Sequence, residues 1–261
     1  MTRRLNKHGM VLFRCAGIAL MLLLWHTASL CFPPLVAPPI HQVGERFYEI
    51  MTSRDTAGIL LTTAGRLFWG LLFGILAGSI FGLLAGNFPA ADAMLAPFLN
   101  AFQSVPPVSW LVLALVWFGF NGRPTIFIVA MASVPPVAIN LRNGVSHIDR
   151  SLLQMAKLYR LSDWTTFREI ILPSVSPYFF SAVEIVLGSG WKLCVMGEVL
   201  TTTTGIGGKI VEARLNIEPD LIIAWSVILV ALCWASQKLI SLLIMRKGKH
   251  YGANALSAKH Q

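Results

Sequence analysis

A chain of 261 residues with 55% apolar residue types and 13% charged falls well short of the roughly 25% charged residues of ordinary soluble domains, and its mean hydropathy is +0.66. Those values exclude a soluble globular domain and point to an all-α polytopic membrane protein. The formal charge of +9 matters through its distribution. The four cysteines, Cys15, Cys31, Cys194 and Cys233, lie in or at the edge of apolar runs without short paired spacing, which indicates neither a disulfide framework nor a zinc site.

A membrane helix needs about 20 predominantly apolar residues. The segment TRRLNKHGMVLFRCAGIALMLLLW has the basic flank and apolar run of a signal peptide. Its apolar run reaches Phe32, and TASLC lacks the small residue that a lipoprotein cleavage site needs, so an uncleaved first span is expected. Intervals free of Asp, Glu, Lys and Arg follow at Cys15 to Gly44, Leu67 to Ala91, Ala93 to Gly122 and Pro124 to Leu141. Two more spans are expected around Pro177 to Leu200 and Leu221 to Gln237, about six in all.

Positively charged segments stay in the cytoplasm. With the N-terminus inside, the inner segments collect Arg3, Arg4, Lys7 and Arg14, then Arg142, Arg150, Lys157, Arg160 and Arg168, and finally Arg246, Lys247, Lys249 and Lys259; the outer ones hold Arg46, Arg54, Arg123, Lys209 and Arg214. Both termini are therefore expected in the cytoplasm of a cell whose inner membrane holds residues 15–245. Residues 1–14 are expected to form a cytoplasmic basic N-terminus, 142–172 a cytoplasmic loop and 246–261 a loose cytoplasmic tail. This asymmetry accounts for the basic charge without a nucleic-acid partner.

Glycines at 70, 74, 78, 82 and 86 make a small-residue stripe that lets a neighbouring helix approach closely, within the chain or between two copies. The pentapeptide SVPPV occurs at 104–108 and 133–137. Pro106, Pro107, Pro135 and Pro136 should kink or break both helices and mark a gate region, because backbone freed within a membrane must face protein or a watery cavity. Glu184, Lys192 and Glu198 lie inside the fifth span, where ionisable groups pair or line a pathway. Lys192 is read either as facing an anion path or as a structural pair, and Glu198 and Glu184 as further pathway or gate candidates. TTTTGIGGKI at 201–210 lacks the Ser or Thr after Lys of a phosphate loop and is expected to be a flexible external loop.

Between the fourth and fifth spans the chain turns amphipathic. Ile148, Leu152, Met155, Ala156 and Tyr159 recur at helical spacing, with Ser151 and Gln154 resembling a capping box. A second helix is expected from Ser162 as N-cap, with Asp163 at its positive end and an apolar face of Trp164, Phe167 and Ile170 or Ile171. The two would meet at Arg160, Leu161 and Ser162, and Pro173 and Pro177 would mark the return to the membrane. Such an elbow suits docking into a groove on a soluble partner.

The segment LLQMAKLYRLSDWTTFREIILPSVSP resembles the cytoplasmic signature of the permease subunits of ATP-binding-cassette importers, in the nitrate, sulfonate and taurine branch. That signature reads Glu-Ala-Ala, three residues, Gly, nine residues, Ile, one residue, Leu-Pro. Ala156 falls on its second Ala and Leu172 with Pro173 on its Leu-Pro, while Gln154, Met155 and Arg160 stand where Glu, Ala and Gly are usual. Arg160 cannot supply the permissive angles of Gly cheaply, so the turn is expected to use ordinary angles or to differ in shape. The resemblance spans roughly Leu22 to Arg246.

It implies a type I importer permease with no catalytic or metal site of its own. Two copies of a cytoplasmic ATPase would bind ATP and Mg and dock on the elbow at Gln154, Ala156, Tyr159, Arg160, Leu161, Ser162, Asp163, Trp164 and Phe167. It further implies a periplasmic or extracellular substrate-binding protein and a second permease copy in a homodimer within the membrane lipid. The substrate would be a small solute, an anion if Lys192 faces the path. An ion-coupled secondary transporter would ask for more carboxylates within its spans, and an intramembrane enzyme for clustered His, Glu or Asp, whereas His26 stands alone.

Overall fold

The computed structural model describes residues 7–257, with side chains at Phe13 and over 15–242; Arg3, Arg4 and Lys259 of the basic flanks lie outside the described residues. Among the described residues every regular element is helical. The chain divides into two compact units, one built up to Ala57 and from Lys209–Ile228, the other from Gly58–Gly208 and from Leu229 on.

In the first unit, α1 (Lys7–Cys31) and α2 (Ile40–Thr52) replace the expected single span from Cys15 to Gly44. Pro33, Pro34, Pro38 and Pro39 lack backbone donors and stop the helix between them, and Trp25 Nε1 donates to the Pro38 carbonyl at 3.0 Å. α2 is amphipathic, with Val43 and Ile50 buried. Its Arg46 donates to Asp220 at 2.9 Å and to Glu49 at 3.1 Å, which raises the guanidinium further above its ordinary value.

The second unit contains α3 (Thr56–Asn87, entering from the first unit), α4 (Pro89–Ser104), α5 (Pro107–Phe118), α6 (Arg123–Ser146), α7 (Arg150–Leu158), α8 (Asp163–Thr166) and α9 (Leu172–Thr201). α10 (Gly205–Leu215) and α11 (Pro219–Ser257) pass between the units. The core of the second unit sits among α3, α5, α6 and α9, where Leu111, Ile128, Val129, Val137 and Val186 are fully buried around Trp191 and Cys194.

By length and composition α3, α6, the continuous stretch Asp163–Thr201 and the Pro219–Leu242 part of α11 can each cross a membrane, and α4 with α5 makes a fifth, bent by 93°. The remaining apolar helix, Cys15–Cys31, is shorter. α11 carries on to Ser257, past the point at which a loose tail was expected.

The glycine stripe serves packing within the chain. A Cβ at Gly70, Gly74, Gly78, Gly82 or Gly86 would run into Val129, Ala130, Val134, Ala138 or Val145 respectively, all on α6. The absent side chains let the two backbones meet.

The repeated SVPPV has two outcomes. At 104–108 the helix ends, with Val105 and Pro106 extended between α4 and α5. At 133–137 the expected break does not occur, and α6 runs through Pro135 and Pro136. Wedged between α3 and α9, α6 keeps its course because packing outweighs the two backbone bonds lost at Pro135 and Pro136.

Candidate functional site

The elbow forms at one end of α9. Asp149, one position before α7, caps that helix by accepting from the Ser151 amide at 2.8 Å, which holds its carboxyl below the ordinary value. The cap is therefore Asp149 and not the expected Ser151 with Gln154, and Gln154 is exposed. An aspartate accepts from the second residue beyond it as readily as a serine does, and here it lies nearer the end of α6.

α7 closes with paired backbone bonds, Leu161 N to Ala156 O at 2.9 Å and Arg160 N to Lys157 O at 3.1 Å. That is the Schellman pattern, which puts its C′ residue in the left-handed region. Arg160 occupies it at φ 51°. The expectation of ordinary angles is thus overturned: the backbone keeps the conformation that glycine favours, at a cost of about 1–2 kcal/mol for a residue with a Cβ.

Ser162 then caps α8, its Oγ accepting from Thr165 N at 3.2 Å, with Asp163 in the first turn. The expected separate second helix does not end at Pro173. A π-helical turn at Phe167–Ile171 joins α8 to α9 without a break. Pro173 would crowd the carbonyl of Glu169 in an ordinary helix, and a wider turn makes room for it.

Only Ala156 of the expected coupling residues is buried. Leu158 is 80% exposed, Tyr159 72% and Trp164 69%, and Arg160, Leu161, Ser162, Asp163 and Phe167 are exposed as well. Most of the apolar face read from helical spacing, Leu152, Met155, Tyr159, Trp164 and Phe167, is thus turned outward, with Ile148 and Ala156 on its inner side. Beneath it, Ile170 is buried, and a cavity of about 410 Å³ is lined by Phe167, Ile171, Phe179, Phe180, Leu83 and Leu141 among others. Phe167 therefore borders both the elbow surface and the space between α3, α6 and α9.

At the other end of α9 lies a charge cluster. Glu198 is fully buried, and its Oε1 meets Arg66 Nη1 at 2.6 Å, with 14% of the Arg66 side chain exposed. Glu198 Oε2 accepts from Thr63 Oγ1 and from the Gly207 amide, each at 2.9 Å. Thr63 Oγ1 in turn accepts from Ile206 N at 2.9 Å, and Arg66 donates to the carbonyl and hydroxyl oxygens of Thr204 at 3.0 and 2.6 Å.

Gly205, at φ 85°, starts α10 directly over the carboxylate, and a Cβ at Gly205 or Gly207 would collide with Glu198. The expected flexible loop at 201–210 is therefore a turn and the start of a helix bolted to Glu198. Its glycines are there for close approach.

Arg66 is not among the residues expected from the sequence, because it flanks the apolar interval that begins at Leu67. One signal was available: Arg66 is the only charged residue in the 32 residues of α3, and a lone charge in a span asks for a partner.

The other span residues separate from this cluster. Glu184 and Lys192 are exposed, together with Ser181, Ile185 and Ser189, along one stripe of α9, and neither makes an ion pair among the described residues. Pro107 and Pro135 come together on a cavity of about 170 Å³ that also touches Phe102, Gln103, Trp110 and Met131. Phe102 and Trp110 stack across the α4–α5 break with centroids 5.0 Å apart. Pro106 is exposed and Pro136 half-buried.

Comparison with known proteins gives this arrangement a setting. A probable ABC transporter permease of Brucella melitensis is 28% identical over 216 residues, 82% of this chain and 86% of its own length. The taurine transport system permease protein TauC of Escherichia coli is 27% identical over 218 residues, 79% and 78% of the two chains. The bicarbonate transport system permease protein CmpB of Synechocystis is 32% identical over 166 residues, 63% and 59%.

Among solved structures, a bacterial ABC transporter involved in alginate import superposes with a TM-score of 0.64 over 94% of this chain and 99% of its own, at 15% identity, a likeness of fold. The family model described as binding-protein-dependent transport system inner membrane component matches residues 70–247, more than half of the chain, and the chain is a member of that family, a permease subunit of a binding-protein-dependent importer.

Proposed function

We propose that this chain is the membrane-spanning half of an ATP-driven importer in a bacterial inner membrane, with ATP and Mg bound by a separate cytoplasmic ATPase present in two copies. The observation that carries the reading is the elbow: the large side chains of Leu158, Tyr159 and Trp164 stand exposed where α7 turns into α8, among the charges of Lys157, Arg160, Asp163 and Arg168. Exposed aromatic side chains on a rigid scaffold are what a protein partner buries. The elbow then faces the cytoplasm, as do both termini, in agreement with the distribution of Lys and Arg.

α8, the π turn and α9 form one stretch of 39 residues, Asp163–Thr201. A push on Trp164 therefore moves a rod about 59 Å long at 1.5 Å per residue, whose far end holds Glu198. Closure of the ATPase pair at the elbow would shift α9, and the Glu198–Arg66 cluster would carry that shift to α3 and α10. Glu198 in this reading anchors the gate and does not line the path. The cavity at Pro107 and Pro135, beside the α4–α5 break, is the gate region.

The path itself runs along the exposed stripe of α9 with Glu184, Ser189 and Lys192, facing a second copy of the chain. A small anion delivered by an external binding protein suits Lys192, and TauC and CmpB belong to taurine and bicarbonate transport systems.

Tagging the chain, extracting it gently and identifying stoichiometric partners by mass spectrometry tests the assignment. Recovery of a soluble ATPase bearing a phosphate loop is expected. Recovery of the chain alone after nucleotide and crosslinker would favour a self-sufficient transporter. For the substrate, Lys192→Met should depress uptake of the anion that the binding protein carries, and unchanged uptake of every anionic candidate would remove Lys192 from the path.

A further inference from the structure

At the apex of the elbow, Arg160 holds a left-handed conformation at φ 51° that glycine would adopt without strain. Its side chain is exposed and makes no hydrogen bond or ion pair among the described residues, and none of those residues accounts for an arginine there. Around it stand Tyr159, Trp164 and Leu158, all strongly exposed. Arg, Tyr and Trp are the residue types that dominate binding energy at protein interfaces, and here they project from one capped turn.

The local charge is unbalanced. Of the carboxylates nearby, Asp149 is occupied in capping α7, Glu169 lies 3.8 Å from Arg168, and Asp163 occupies the first turn of α8. Lys157 and Arg160 are left facing outward without a partner among the described residues.

We infer that Arg160 is a specificity-determining contact: the groove of the ATPase that receives this elbow presents a carboxylate to the guanidinium, flanked by apolar surface for Tyr159 and Trp164. The carboxylate selects the cognate ATPase and rejects others whose groove is neutral or basic at that point, since a like charge or an unpaired buried cation there opposes docking. This inference rests on the reading of the elbow as the ATPase docking element and adds the chemistry of what it meets.

The test uses full-length permease in lipid nanodiscs and the ATPase recovered with it, purified separately, with binding measured at low and high potassium chloride. Arg160→Gly keeps the left-handed turn and removes the cation. We expect binding to weaken by about thirty-fold and to lose much of its salt dependence. Arg160→Lys should recover part of the loss, and Arg160→Glu should bind worse than Arg160→Gly. A Lys placed at the facing carboxylate, located by crosslinking, should restore binding to Arg160→Glu.

Wild-type affinity and salt dependence in Arg160→Gly, with binding lost in Trp164→Asp, would overturn the charge inference and leave the elbow as the docking element. Wild-type binding in both variants would remove the docking reading and this inference with it. A defect in Arg160→Gly that follows the anionic lipid content of the nanodisc and not the ATPase would assign Arg160 to the membrane surface and overturn the inference equally.

Discussion

The two ends of α9 handle charge in opposite ways. Near Thr201, Glu198 is fully buried and both of its oxygens are partnered, by Arg66 on one side and by Thr63 and the Gly207 amide on the other. Near Leu172, the elbow keeps Lys157 and Arg160 in the open beside unburied aromatic side chains. A buried charge that is fully satisfied is costly to disturb, whereas an exposed charge contributes little to the fold. The first arrangement is therefore internal structure, and the second is surface that makes sense only with something set against it.

The largest effect should come from opening the buried end. Glu198→Ala leaves Arg66 without its carboxylate and should cost about 3–5 kcal/mol, seen as a steep fall in thermal unfolding midpoint in detergent or as failure to accumulate in the membrane. Replacing both Arg66 and Glu198 with apolar residues of similar volume should cost clearly less than Glu198→Ala alone. A double variant that loses as much as the Arg66 and Glu198 single variants added together would mean that the pair is not coupled and that the contrast between the ends of α9 is mistaken.

A smaller loss is expected from Gly207→Ala, which disturbs the same cluster without touching charge. The added methyl meets Glu198 Cβ and the Val195 carbonyl, and overpacking of this kind costs about 1–3 kcal/mol. An unchanged unfolding midpoint would show that α10 shifts freely over Glu198 and is not bolted to it.

At the exposed end the sign of the experiment changes. Trp164→Asp should leave the unfolding midpoint of the isolated permease within about 0.5 kcal/mol, as surface substitutions usually do, while abolishing co-purification of the ATPase. Loss of stability comparable to that of Gly207→Ala would instead assign Trp164 to the fold.

Sequence reasoning reached these two ends unequally, for physical reasons. The elbow was legible because its determinants are local: Ser162 and Asp163 announce a helix start, and Leu172 with Pro173 fixes the register against the importer signature. Its inner details were not. Asp149 and Ser151 are both competent caps, and the choice between them depends on where α6 ends. The identical SVPPV segments diverge because α6 is clamped on two sides while the α4–α5 junction is not, which is tertiary context. Glu198 could be read as a charge needing a partner, but Arg66 is 132 positions away, and no local pattern joins them. The glycines at 205 and 207 had a purpose visible only once Glu198 was seen beneath them.

The smallest effect isolates the strain at Arg160. Arg160→Ala keeps a Cβ in the left-handed turn and removes a side chain that makes no bond among the described residues, so the unfolding midpoint should barely move. Arg160→Gly also removes the strain, a gain of about 1–2 kcal/mol, offset by the greater freedom of glycine in the unfolded chain, roughly 0.5–1 kcal/mol. The glycine variant should thus be slightly more stable than the alanine variant, by up to about 1.5 kcal/mol, although it is expected to bind the ATPase no better. If Arg160→Ala itself loses more than that amount, the guanidinium supports the elbow from within, and the division between a buried end that holds the fold and an exposed end that meets a partner no longer stands. If Ala and Gly behave as expected, an arginine at this turn costs the isolated chain stability. The compensation then has to come from outside the chain, where the ATPase groove would supply it.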